Sequence, residues 1–274
     1  MNSSFKAILP YTTGLALSLS VTTSHAEEYQ YAAYLGLADN NSYSATANAV
    51  FAYYFKPVNQ TLGPKTLAPL LNKSSSIRLD YDYTNLPAGD SRNNILSPSA
   101  ELTWVFENNL YIEAFTMSES INYKNDDSTV ATGNGLTAGY FLNDDSYIEL
   151  GNYRETDNKD ESFDNLYMTA GHLYRLEDES YIAVRATIND FINDDDGYNG
   201  NSYTLNTSYF PNHDFGIYGE ITAVDFSSAD DRTYAKVGAN YFFDNSINVG
   251  IATRIQKEGD EWYNYQHIYL GKRF

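Results

Sequence analysis

The stretch "INVGIATRIQ" alternates between two kinds of residue. Ile247, Val249, Ile251 and Ile255 fall on one side with Thr253; Asn248, Gly250, Arg254 and Gln256 fall on the other with Ala252. "YIAVRATI" sets Ile182, Val184, Ala186 and Ile188 against Tyr181, Arg185 and Thr187. "IRLDYDY" sets Ile77, Leu79, Tyr81 and Tyr83 against Arg78, Asp80 and Asp82. A period of two marks a strand with one apolar and one polar face. Segments of this kind predict fourteen strands, near 29–37, 43–55, 76–86, 95–107, 110–124, 134–142, 147–157, 162–176, 181–193, 202–210, 215–226, 232–243, 247–257 and 262–274. Twelve is the alternative count, because the first hairpin and the region before Ile77 are the least regular.

The breaks between strands are of two kinds. Short clusters begin at 108, 143, 177, 211 and 244, so successive starts lie 35, 34, 34 and 33 residues apart. A period near 34 also occurs in helical solenoids, but period-two flanks make this unit a pair of strands. The intervening breaks, such as "PAGDSRNN" and "NDDDGYNGN", are mostly longer and rich in Asp, Asn, Ser and Gly. Aromatic residues bracket each short turn: Phe106 and Tyr111, Phe141 and Tyr147, Tyr174 and Tyr181, Phe210 and Phe215, and Tyr241 to Phe243. That placement predicts an aromatic girdle at a membrane interface.

Composition decides what the strands build. Residues 1–26 carry one charge, Lys6, an apolar centre from Gly14 to Val21, and Ser24-His25-Ala26 as a small-x-small cleavage site. They read as a secretory signal peptide, which leaves 27–274 as the mature chain. Without Lys6, 16 basic residues face 36 acidic ones, a net charge of −20 that excludes nucleic acid as a partner. There is no cysteine, so no disulfide supports this exported chain. Tyrosine accounts for 26 residues, too many aromatics for a disordered chain, yet the mean hydropathy is −0.47. No apolar run after residue 26 is long enough for a spanning helix. An exported, aromatic-rich chain that is polar on average fits an all-β transmembrane antiparallel up-and-down β-barrel, in which only alternate residues face lipid. Short turns would then face the periplasm and long loops the exterior.

Residues 56–76, "KPVNQTLGPKTLAPLLNKSSS", interrupt the repeat. They are too long for a hairpin turn and hold Pro57, Pro64 and Pro69. They are expected to pack as a periplasmic connection, with a pore-occluding plug as the other reading.

Catalytic chemistry finds no pattern. His172, His213 and His267 lie near no Ser or Asp in a recognisable arrangement, and no His pair has metal-ligand spacing, so no catalytic residue, metal or cofactor is assigned. Asp126-Asp127 and Asp194-Asp195-Asp196 read as solvated loop charge. The remaining chemistry is the face opposite the apolar one. It offers Arg78, Asp80, Asp82, Glu101, Glu113, Glu149, Arg175, Arg185, Glu220, Lys236, Arg254 and Arg273 as pore-lining candidates. A wall of both signs suits a hydrated lumen, and acidic loops would concentrate cations at its outer mouth.

The signal, the alternation, the turn asymmetry and the terminal Phe274 together resemble a Gram-negative outer-membrane porin. "YYFKPVNQTLGPKTLAPLLNKSSSI", residues 53–77, resembles an early segment of gammaproteobacterial porins. The resemblance implies residence in the outer membrane, with its lipid and lipopolysaccharide as surroundings, and passive diffusion of small solutes. It also implies delivery by the barrel-assembly machinery, which would read the last strand through Phe274, Leu270 and Ile268. Lys272 departs from that pattern, where an apolar residue is expected. General trimeric porins have sixteen strands and a long third loop; this chain has neither, so a monomer is expected. A non-conducting barrel serving as adhesin, receptor or structural surface protein is the alternative function.

Overall fold

The computed structural model describes residues 27–40, 44–85, 92–123, 128–158, 162–193, 199–227, 232–258 and 261–274. The expected signal segment and the Asp126-Asp127 and Asp194-Asp195-Asp196 clusters lie outside these residues. The alternating segments form β1 (Glu28–Asn40), β2 (Ser44–Asn59), β3 (Ser76–Asn85), β4 (Arg92–Val105), β5 (Leu110–Tyr123), β6 (Thr129–Phe141) and β7 (Ser146–Asp157). They continue as β8 (Ser162–Arg175), β9 (Tyr181–Asn193), β10 (Gly200–Phe210), β11 (Phe215–Phe226), β12 (Arg232–Phe242), β13 (Ile247–Glu258) and β14 (Glu261–Arg273). A 3-10 turn (Lys65–Leu67) and a four-residue helix, α1 (Ala68–Leu71), lie between β2 and β3.

Each strand pairs antiparallel with its sequence neighbours, and β1 pairs with β14, so the sheet is a closed barrel of fourteen strands rather than twelve. The irregular first hairpin pairs from Glu28↔Asn59 to Asn40↔Ser44 and absorbs its irregularity as a register shift between Tyr29 and Tyr31. At the seam Phe274 bonds in both directions. Its N–H donates to the Tyr31 carbonyl at 2.8 Å, and its carbonyl accepts from the Gln30 and Tyr31 amides at 2.9 and 3.1 Å.

Closure fixes which face is which. Leu79, Leu136, Leu150, Ile221, Ile251 and Ile268 all point outward and are largely exposed, Ile251 by 62%. A band of bare aliphatic side chains is intolerable in water but is the solvated face in lipid.

Each short turn is set by one side chain. Oδ1 of Asn108, Asn143, Asp178, Asn212 and Asp244 accepts the backbone N–H two residues on, at 3.2, 2.8, 3.1, 2.9 and 2.6 Å respectively. Asn and Asp bend the chain in this way because their short polar side chains mimic a turn hydrogen bond. The repeat of about 34 residues is therefore a repeat of these turns.

On the inner face, tyrosines lie flat over glycines of the next strand. Tyr111 stands opposite Gly139 and Tyr269 opposite Gly250. A Cβ at either glycine would overlap the ring. The missing side chains let the rings lie along the wall instead of across the lumen. We expect Gly250→Leu, which forces Tyr269 off the wall, to cost about 1–3 kcal/mol in urea unfolding of the refolded barrel. Gly219→Ala should cost almost nothing in the same measurement, since its nearest neighbour would be the Lys236 carbonyl oxygen at 3.9 Å.

Candidate channel and its short-turn mouth

The register places all twelve charged candidates on the inner face. Arg78, Asp80 and Asp82 stand on β3, Glu101 on β4, Glu113 on β5, Glu149 on β7, Arg175 on β8 and Arg185 on β9. Glu220, Lys236, Arg254 and Arg273 follow on β11 to β14. Direct cross-strand pairs link Arg78 with Glu101, Glu220 with Lys236, and Lys236 with Arg254. The carboxylates gather on β3 to β7, where the Tyr111 hydroxyl donates to Glu149 at 2.6 Å and Arg78 bonds Asp80 at 2.9 Å. The basic wall is faced with rings: the Arg254 guanidinium lies 4.2 Å from the Tyr234 ring centre, and Lys236 Nζ lies 5.7 Å from that of Tyr218. Between these walls lies a cavity of about 490 Å³ bordered by Asp82, Glu119, Lys236 and Arg254.

The connection between β2 and β3 folds into the short-turn end of the barrel. Gln60 and Lys65 meet Arg273, whose guanidinium donates to Gln60 Oε1 at 2.7 Å and to the Lys65 carbonyl at 2.8 Å. Arg273 is buried between the rings of Phe242 and Tyr29, with centres 4.4 and 4.5 Å away. Asn240 on β12 donates to Thr66 at 2.8 Å, and Gln60 donates to the Asn245 carbonyl at 2.8 Å. Around the ring, Lys65 pairs with Asp214 at 2.5 Å and Lys73 with Asp144 at 2.9 Å. Arg175 pairs with Asp145 at 2.7 Å and donates to the Leu62 carbonyl at 2.9 Å. Leu71 packs on Leu173, Tyr181 and Phe210. The segment thus holds strands and turns on opposite sides of one mouth.

This packing corrects the expected girdle. Phe106, Tyr174, Tyr241 and Phe243 do face outward and are exposed, but Tyr111, Phe141, Tyr181, Phe210 and Phe242 are buried on the inside. The reason is the period of two: a ring's face is set by its odd or even place on its own strand, so closeness to a turn does not decide whether it points in or out. The inner set seats the connection, with Lys73 Nζ 5.4 Å from the Phe141 ring centre and Lys65 Nζ 5.9 Å from that of Phe242.

Two comparisons with known proteins bear on this barrel. Residues 5–190 match the family described as "Putative general bacterial porin". The chain belongs to this porin family. Its fold is similar to that of the outer membrane protein Omp33 of Acinetobacter baumannii, at 17% identity and a TM-score of 0.60, covering 90% of this chain and 99% of Omp33. A bacterial polysaccharide outer membrane secretin shares 8% identity and a TM-score of 0.55, covering 92% of this chain and 100% of that protein. No curated relative matches the sequence significantly. The porin is a multi-pass β-barrel of the outer membrane.

In this porin the residues that sequence reasoning passed over are Gln60, Lys65 and Lys73. Their signal was Lys65 and Lys73 lying in a proline-punctuated segment of an otherwise acidic chain. Arg273→Ala would remove one buried charged donor from Gln60 Oε1 and another from the Lys65 carbonyl, at about 1–3 kcal/mol for each lost bond. We expect proteases to cut the connection faster while the barrel stays folded, as read on a gel of the refolded protein.

The Lys73 hydrogen bond and charge hold the Asp144 carboxyl below its usual range. A depressed carboxyl contributes stability above its unfolded value, about 3.9, and loses it as pH falls through the lower folded value. Pepsin cleavage within the connection should therefore rise below about pH 3.9. In Asp144→Asn it should be raised already and lack that step.

Proposed function

We propose that this porin is a water-filled channel for passive diffusion of small hydrophilic solutes and ions, with a weak preference for cations. The observation that carries the reading is the inner wall. It bears ionisable groups of both signs from β3 to β14, and Asp82, Glu119, Glu220, Lys236 and Arg254 among them border a cavity of about 490 Å³, where a sealed barrel would need them cross-linked or replaced by packed apolar residues. Asp82, Glu113 and Glu149 add to an acidic arc, and the long-loop side adds the chain's excess of Asp and Glu. Two of the basic groups, Arg175 and Arg273, are engaged by the connection. That leaves the acidic groups a larger share of the open wall.

The short-turn mouth with its connection faces the periplasm in this reading, and the lipopolysaccharide leaflet surrounds the long-loop end. A barrel with no unpaired strand edge suits a monomer. Phe274, Leu270 and Ile268 present the last strand to the assembly machinery, and Lys272 is tolerated because it lies beside the headgroups, its Nζ 5.4 Å from the Phe274 ring centre. No catalytic role is proposed for the three histidines.

Refolded protein in a planar bilayer should give stepwise currents, and its reversal potential under a salt gradient should have the sign of cation preference. Anion preference would overturn the selectivity. An electrically silent barrel would overturn the channel and favour a surface adhesin or receptor.

A further inference from the structure

The connection fills the short-turn mouth unevenly. On the side of β12, β14 and β1 it is sealed. Val58 is fully buried there opposite Tyr29, and Arg273, clamped between two rings, bonds Gln60 and Lys65. Asn240 bonds Thr66 and Gln60 bonds Asn245 on the same side. Breaking this side would strand several buried polar groups at once.

On the other side a cavity of about 540 Å³ lies between α1 and the β7–β10 wall. Its lining begins with Arg78 and Arg185 above the helix, passes Ser208 and Leu70, and ends at Asp144 and Asp145 on the rim. Asp144 is 86% exposed, so water reaches that end. The β6–β7 turn forms the outer lip. Each of its two carboxylates is held by a cation from a different element, Asp144 by Lys73 of the connection and Asp145 by Arg175 of β8.

We propose that solutes pass the connection through this off-axis slot, while the Arg273 side remains shut; the inference rests on the porin reading above. The slot carries arginines at its inner end and aspartates at its outer end. Leu67, Leu71, Phe141 and Leu173 make its waist apolar. It admits compact solutes in single file and makes Ser208 and Leu70 determinants of size.

The absence of native cysteine makes the test direct. Ser208→Cys and Leu70→Cys place a thiol on each side of the slot, and Thr61→Cys places one on the exposed surface of the connection beside Gln60, which bonds the Glu27 carbonyl at 2.9 Å on the sealed side. Each refolded variant is recorded in a planar bilayer before and after a charged methanethiosulfonate, with mass spectrometry confirming one adduct. We expect conductance to fall by about half at Ser208→Cys and Leu70→Cys and to stay unchanged at Thr61→Cys. Confirmed adducts at both slot positions with undiminished current would overturn the slot, as would an equal loss at Thr61→Cys. A barrel silent before the reagent is added would overturn the porin reading itself. The two slot variants sit on different elements, so a folding defect in one leaves the other to decide.

Discussion

A bilayer offers no hydrogen-bond partner to an unpaired strand edge, and the whole molecule follows from that constraint. Fourteen strands meet it only because β14 returns to β1, from Ala32↔Arg273 to Asp39↔Gln266. Once the ring is closed, every residue is either inside or outside, and a slip of one position would exchange the two faces. The aliphatic rows therefore meet lipid, while the arginines, carboxylates and tyrosines meet one another. The Asx-bonded turns allow the chain to reverse five times at one end within a few residues and keep the ladders in register.

Inside, the competing demands are space and order. Tyrosines would crowd a lumen if they stood upright. Placed over glycines, they line the wall and lend hydroxyls and ring faces to the charges. Tyr111 serves Glu149 in this way, while Tyr234 and Tyr265 flank Arg254. At the short-turn end, buried rings take the opposite part and fill space, making a seat for an amphipathic segment whose lysines reach outward to turn carboxylates.

Alternation carried most of the fold in the sequence. It marks every strand, and where β4 or β6 begins earlier than expected, the extra residues sit at the long-loop end, where polar residues dilute the period. The inner positions of Arg78, Glu220 or Lys236 were legible for the same reason, since parity alone assigns them. The connection was not. Its contacts join Lys65 to Asp214 and Lys73 to Asp144, groups that share no period and lie far apart in sequence. Nor could the inner ring of aromatics be separated from the outer one until each turn's register was fixed. A one-residue uncertainty at a turn is small along the chain but complete across the wall.

The bond between Arg273 and Gln60 joins residues 213 positions apart, the first hairpin's exit to the next-to-last residue of the chain. A barrel still waiting for β14 has no Arg273 to offer. Its connection stays unlatched, with Phe242 and Tyr29 lacking the cation they enclose. The guanidinium that fastens the mouth sits on the strand that closes the ring, so the seat of the connection and the seam of the barrel depend on one residue.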